Sequence, residues 1–430
     1  MAVPLTGRLP RVLSCFLLLF SSCVKNNGKP VAPPGNIIIT AIQPSLGPEG
    51  TIDTISGSGF DQIPDFDSLF LNGKQLLVES KSDSQIIVSI PKLAGSGPIV
   101  IWCGGKEILG PIFHYDSSWI VTTVAGSGQM AFADGQGLSA SFYHPSAIAM
   151  DKNLNLFIGD AGCIRKVTPD GAVTTFAGAC PITGIADGTG TNAQFSAQIW
   201  GLVFDSAGNL IATDGGNNNI RKITPDADVT TIVMGNRSTQ GPLGPRPYSI
   251  LNYPAGIVIN EQGNMLEVDE GSGAIQMINA QDSVSTIFSG AGLLYNPIGC
   301  SLDSSGNLFV ASQEAYQVIK VTPSGIATSI AGNFTPGYQN GQGANASFLS
   351  PVDVVVGRDQ NIYVADAGIM IRRIDQQGNV TTFIPLGTGD VDGPVPYAAA
   401  RGMFAFLFDP TGNIYFTDQI NNNIRKISWQ

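Results

Sequence analysis

The strongest constraint on this chain is a block that recurs six times between residues 117 and 430. Its centre is an Asn-led apolar run. The first copy is Asn155-Leu156-Phe157-Ile158-Gly159-Asp160, and the others begin at Asn209, Asn264, Asn307, Asn361 and Asn413. A second run follows each, Ile164-Arg165-Lys166-Val167 in the first block, with counterparts opening at Ile220, Ile275, Val318, Ile371 and Ile424. Another run precedes each, near Pro145, Ile199, Pro254, Pro297, Pro351 and Met403. A closing run such as Val173-Thr174-Thr175-Phe176 has counterparts at Val229, Val284, Ala327 and Val380. The blocks lie roughly 43 to 56 residues apart. Short β-branched runs between Gly, Asn and Asp turns read as strands, and four per block describe a propeller blade.

Ring closure gives a check on the count. The sixth block stops at Ser428-Trp429-Gln430 without a closing run, while an orphan one, Val121-Thr122-Thr123-Val124-Ala125-Gly126, stands before the first block. An N-terminal strand that completes the last blade removes the free sheet edges that invite aggregation. The expectation is an all-β chain ending in a six-bladed β-propeller. The pattern of a Gly-Asn turn, an apolar run ending in Asp, then Ile-Arg-Lys and Val-Thr-Thr resembles NHL repeats, and the resemblance covers residues 117–430.

Residues 37–115 read as a separate small β-sandwich. Ile55-Ser56-Gly57-Ser58-Gly59-Phe60, Leu71-Asn72-Gly73-Lys74, Ile86-Ile87-Val88-Ser89-Ile90-Pro91 and Gly97-Pro98-Ile99-Val100 alternate apolar runs with tight turns. Their order resembles the IPT/TIG family of immunoglobulin-like domains, which implies a spacer or interaction module. His114 stands at its exit without partner residues nearby in sequence.

The first residues carry a targeting pattern. Arg8 and Arg11 precede the apolar stretch Val12–Phe20, and Phe20-Ser21-Ser22-Cys23 follows. That order fits an export signal over residues 1–23, and the apolar stretch is too short to span a bilayer. Small residues before a cysteine resemble a bacterial lipobox, with Phe20 where Leu is usual. Cys23 would then be the lipidated first residue of an exported protein, held at a bacterial outer membrane or cell surface through that anchor alone. An ordinary cleaved signal with an incidental cysteine is the other reading. Residues 24–36, rich in Pro, Gly, Asn and Lys, read as a flexible tether. In an exported chain Cys163 and Cys180, facing each other across the turn Pro169-Asp170-Gly171, could pair; Cys300 sits where other blocks place Ile or Val.

The net charge of −11 comes with no basic stripe, which argues against a nucleic-acid partner. Two histidines, His114 and His144, are too few for a histidine-rich zinc centre, and no nucleophile-elbow, P-loop or dinucleotide fingerprint occurs. In a propeller the long connections between blades share one face with the second-to-third turns, and binding residues gather on such loops. Aromatic candidates there are Trp200, Tyr248, Tyr316, Tyr338 and Phe404, with Trp200 and Phe404 at a position occupied elsewhere by Ser146, Ala255, Ile298 or Val352. Such rings suit carbohydrate or peptide, or they plug the channel. The third block carries Glu267, Asp269 and Glu270, with Glu267 replacing an apolar residue. It reads either as a site facing the channel, with calcium the candidate cation, or as a solvated outward face. No other cofactor is implied.

The recurring Asp134-Gly135-Gln136-Gly137, Asp187-Gly188-Thr189-Gly190 and Asn340-Gly341-Gln342-Gly343, with a weaker copy at Asp392-Gly393, read as Asx turns or as calcium ligands. The repeated strand-end acids read as turn caps, and the repeated arginines as partners of neighbouring blades. The expected function is a non-catalytic envelope protein that binds a carbohydrate, peptide or protein. The alternative is a calcium-dependent lactonase, esterase or lyase.

Overall fold

The computed structural model describes residues 37–429, apart from 48–50, 64–68, 92–93, 104–105, 116–117, 236–247, 250, 291 and 396. Cys23 and the expected export signal and tether therefore lie outside the described residues. The chain divides into two compact units, one ending at Asp116 and the other beginning at Ser117.

The first unit is a two-sheet sandwich. One sheet orders Ile38–Gln43, Ile52–Ser58, Gln85–Ser89 and Leu77–Lys81. The other orders Leu46–Gly47, Lys106–Tyr115, Gly97–Cys103, Leu69–Leu71 and Lys74–Gln75. Alternation along the strands places Ile55, Ile86, Val88, Ile99, Ile101 and Phe113 between the sheets with no solvent exposure.

The second unit is a six-bladed propeller. The inner strands are Pro145–Met150, Ile199–Phe204, Pro254–Ile259, Pro297–Leu302, Pro351–Val356 and Met403–Phe408, each packed on the next round a closed ring. Each starts a four-stranded antiparallel meander, and these are blades one to six in chain order. The turn after each inner strand is built by side chains the repeat supplies. In blade two Asp205 accepts from the amides of Ala207 and Asn209 at 2.9 and 2.8 Å and from the Asn209 side chain at 2.8 Å, while Gly208 takes φ +85°. The Asp-x-x-Gly-Asn signature is thus a turn written in hydrogen bonds. Inner strands approach so closely that a Cβ at Gly201 would lie 2.4 Å from the Ala255 carbonyl, which explains the small residues there.

Blade six takes its outer strand from the start of the unit. Trp119–Ala125 runs antiparallel to Asn423–Trp429, with Val121 opposite Ile427 and a bulge before Ala125. Val121 and Ala125 are fully buried. We predict that a protein lacking residues 1–125 melts about 10 °C or more below one lacking residues 1–115, because only the first loses the closing strand. Equal melting temperatures by calorimetry would overturn that role.

Candidate functional site

Every inner strand starts on the face that bears the interblade loops, so its second residue stands at the channel mouth on that side. From blades two and six, Trp200 and Phe404 converge there, with ring centroids 6.5 Å apart at 53°. Blade one lies between them and contributes only Ser146, buried and bonded to the Ile199 carbonyl at 2.7 Å. The small residue makes room for the two rings to meet across the channel and floor the mouth.

Around this floor the loop face exposes aromatics. Tyr338 is 47% exposed on the loop leading to blade five. Tyr316 is half-buried in the second-to-third turn of blade four, at φ +56°. Tyr248 lies in a two-residue strand beside the outer strand of blade two, and its side chain is outside the described residues. Tyr143, Tyr253 and Tyr295, each one or two residues before an inner-strand proline, are also exposed, and Tyr295 meets the exposed Phe334 at 6.4 Å. Tyr143 stacks on Phe132 at 5.2 Å. These residues were missed in the sequence, although Tyr143-His144-Pro145, Tyr253-Pro254 and Tyr295-Asn296-Pro297 share a visible Tyr-before-Pro pattern. Between the rings run neutral amides and hydroxyls: Asn296 donates to Gln313 at 2.6 Å, and Gln313 donates to Ser350 at 2.9 Å.

The acids of blade three do not gather into one site. Asp269 is consumed by its turn, accepting from the amides of Asn252 at 2.6 Å and Ser272 at 2.9 Å and from the Ser272 hydroxyl at 2.6 Å. Glu270 is half-buried, its pKa raised first by burial and then by Asp269 and Glu314. Glu267 is fully buried, which overturns the solvated-face reading: its side of the strand packs inward like Ile158, Val310 and Val364 at the same position. Neither of its carboxyl oxygens has a well-aligned hydrogen bond. Burial drives its pKa well up, the Asp269 charge adds to this, and the Ala255 amide counters it. Among the described residues no three His, Cys, Asp or Glu side chains group closely enough to hold a metal ion.

A second inner acid escaped the sequence reading. Asp353 stands where other blades carry Ala147, Gly201, Gly256, Gly299 and Ala405. It accepts from the Phe406 amide of blade six at 2.9 Å and from the Val354 amide at 2.8 Å. Burial lifts its pKa to about 7 against these bonds. An acid in a column of Gly and Ala was the available signal. Cys300, half-buried in blade four, has its thiol pKa pushed up by burial, then by Asp353 and Glu267.

The repeated arginines work within their own blades, not between neighbours. Arg165, fully buried, donates to Asp160 at 3.0 Å and to Asp134 at 2.8 Å, and to the carbonyls of Ser141 and Ala133. Asp160 also accepts from the Tyr143 amide at 2.6 Å. Burial raises the Asp160 pKa to about 6 against the pull of that amide and of Arg165. Arg221 repeats the set with Asp214 and Asp187, Arg372 with Asp366 and Asn340, and Arg425 with Asp418, Asp390 and Asp392. The recurring loop acids are therefore arginine acceptors that fasten each interblade loop to its blade. Blade three has Gln276 and blade four Ile319 in place of arginine. Cys163 and Cys180 are joined in a disulfide with Cα atoms 5.4 Å apart.

Residues 38–115 match the model of the IPT/TIG domain family. The chain as a whole is similar to an auxiliary nutrient binding protein from Bacteroides ovatus, at 16% identity and a TM-score of 0.65, covering 94% of this chain and 100% of that one. It is also similar to an auxiliary nutrient binding protein from Bacteroides thetaiotaomicron, at 17% identity and a TM-score of 0.63, covering 92% and 99%. At such identities the likeness establishes the fold. In sequence, 118 residues are 31% identical to a Caenorhabditis elegans protein named a probable peptidyl-alpha-hydroxyglycine alpha-amidating lyase, covering 26% of this chain. The match spans about a third of that relative, 32% of its length.

The buried Glu267 makes a signed prediction. Well below the usual Glu pKa of 4.5 its carboxyl is protonated whether the chain is folded or not. As pH rises the unfolded chain releases the proton and the folded one keeps it, so stability is lost. The stability difference between Glu267→Gln and wild type should therefore be constant at low pH. Above that Glu267→Gln should gain on wild type by up to about 1.4 kcal/mol per pH unit, until the folded pKa is reached. Chemical denaturation at several pH values checks it; parallel profiles for the two proteins would refute it.

Proposed function

We propose that this chain is a non-catalytic binding protein of a bacterial envelope, tethered through lipid at Cys23, with the loop face of the propeller as its ligand platform. The observation that supports it is the gathering of exposed tyrosines around a Trp200–Phe404 floor on a single face. Rings that offer apolar faces beside neutral amides suit carbohydrate or peptide, because sugar C–H edges stack on the ring while amides meet hydroxyls. The fold likeness to two nutrient binding proteins of Bacteroides is in keeping with this reading.

A second reading has one observation behind it, the segment similar to an amidating lyase. Under it the propeller is a lyase, or a calcium-dependent lactonase or esterase. Purified protein that hydrolyses lactones or esters in calcium, stops with a chelator and fails as Glu267→Gln would replace the binding reading.

Two measurements test the proposal. On glycan and peptide arrays, Trp200→Ala and Tyr338→Ala should each weaken binding by about 1–3 kcal/mol while the melting temperature holds. Unchanged array profiles for both variants would remove the loop face from consideration. In cells, wild type should enter the detergent phase and Cys23→Ala the aqueous phase. Identical partitioning of the two would refute lipidation at Cys23.

A further inference from the structure

On the opposite face of the ring, a cavity opens in the cleft between blades one and two. It measures about 550 Å³, within the range of small-molecule sites. Its floor is a triad of rings. Phe157 meets Phe176 of its own blade at 5.0 Å and 82°, and Phe204 of the next blade at 5.2 Å and 79°. Phe176 and Phe204 are only half-buried. The Lys166 ammonium stands 5.8 Å from the Phe157 ring, and Lys152 lines the same cavity. The cleft also holds Asp151 and Asp205, but their carboxylates are engaged by the turns. Asp151 accepts from the Asn153 and Asn155 amides and from the Asn155 side chain, and Asp205 does the same in its own turn. The turns hold those carboxylate oxygens but leave their charge in place, and the groups free to donate to a ligand are the lysine ammonium groups.

The same triad exists a second time in the ring, between blades five and six. Tyr363 meets Phe383 at 5.0 Å and 64°, and Phe408 at 5.0 Å and 67°. There the protein supplies a further ring itself. The Trp119 indole sits edge-on to Phe383 at 5.5 Å and against Trp429 at 5.4 Å. By strand register, Trp119 and Trp429 of blade six correspond to Ala227 and Pro225 of blade two. The blade-two cleft therefore keeps the aromatic floor and lacks the indole that packs on its twin.

We propose that the cleft between blades one and two is a second binding site, on the turn face, for a small planar aromatic acid. The ligand ring takes the place that Trp119 occupies at the other junction, and its carboxylate faces Lys166 and Lys152. Edge-to-face packing on Phe176 and Phe204 gives the site its shape preference, and the ammonium groups give it its charge preference. The site is independent of the loop-face reading, since no residue is shared.

The probe is indole-3-acetate, titrated against the full chain by calorimetry, with indole-3-acetamide as the uncharged control. Saturable binding at one site is expected, with the acid preferred about tenfold over the amide. Phe204→Leu, a residue that blade four already carries at this position as Leu302, should weaken binding about threefold to tenfold. Lys166→Met, the residue that blade three carries at the matching position as Met277, should erase the preference for the acid. Both variants should retain the wild-type melting profile. Absence of binding at millimolar probe would overturn the proposal, and so would binding that neither variant changes.

Discussion

Closure of the ring is the constraint on which the rest of the propeller depends. A single four-stranded blade leaves both sheet faces exposed and buries them only against its neighbours, so an open array would present two apolar ends. The pairing of Trp119–Ala125 with Asn423–Trp429 turns six blades into a circle. It also fixes the radius, because each inner strand must touch two others. That radius decides which side chains reach across the channel. Trp200 and Phe404 meet because the intervening blade offers only Ser146.

Within this frame the buried arginines hold the loop face. Each guanidinium exchanges water for two or three acceptor side chains and one or two backbone carbonyls. This offsets its desolvation and leaves only Nε without a partner. The cost of breaking such a set is high because the remaining charge stays buried. Blades three and four have lost the arginine, and the departures cluster there. Glu267 is buried without a cation, Asp269 turns to Ser272 and backbone amides, and Glu270 lies near Glu314. The interior of these blades is held by apolar packing around a carboxyl whose pKa burial raises.

The two faces of the ring are chemically different. The loop face offers exposed tyrosines and neutral amides together with the Trp200–Phe404 pair. The turn face offers clefts between blades with a lysine above an aromatic ring, as with Lys166 over Phe157 and Lys320 over Phe309. Turn-face carboxylates such as Asp359, Asp375 and Asp409 are held in the turns by hydrogen bonds that lower their pKa, so they stay charged while their oxygens are occupied.

Much of this was legible in the sequence, because it depends on residues close together in the chain. The period, the Asp-x-x-Gly-Asn turns, the strand order and the orphan closing strand are local signals, and they determined an all-β chain with a sandwich and a six-bladed ring. The candidate site was legible only in part. Trp200 and Phe404 stood out as large residues in a column of small ones, while Tyr143, Tyr253, Tyr295 and Asp353 passed unnoticed. The pairing of Arg165 with Asp134 and Asp160, the burial of Glu267, the bond from Phe406 to Asp353 and the ring triad of Phe157, Phe176 and Phe204 were decided by tertiary structure. Each depends on how far a loop folds back or how closely one blade stacks on the next. That spacing is set by all six interfaces at once, and no single repeat encodes it.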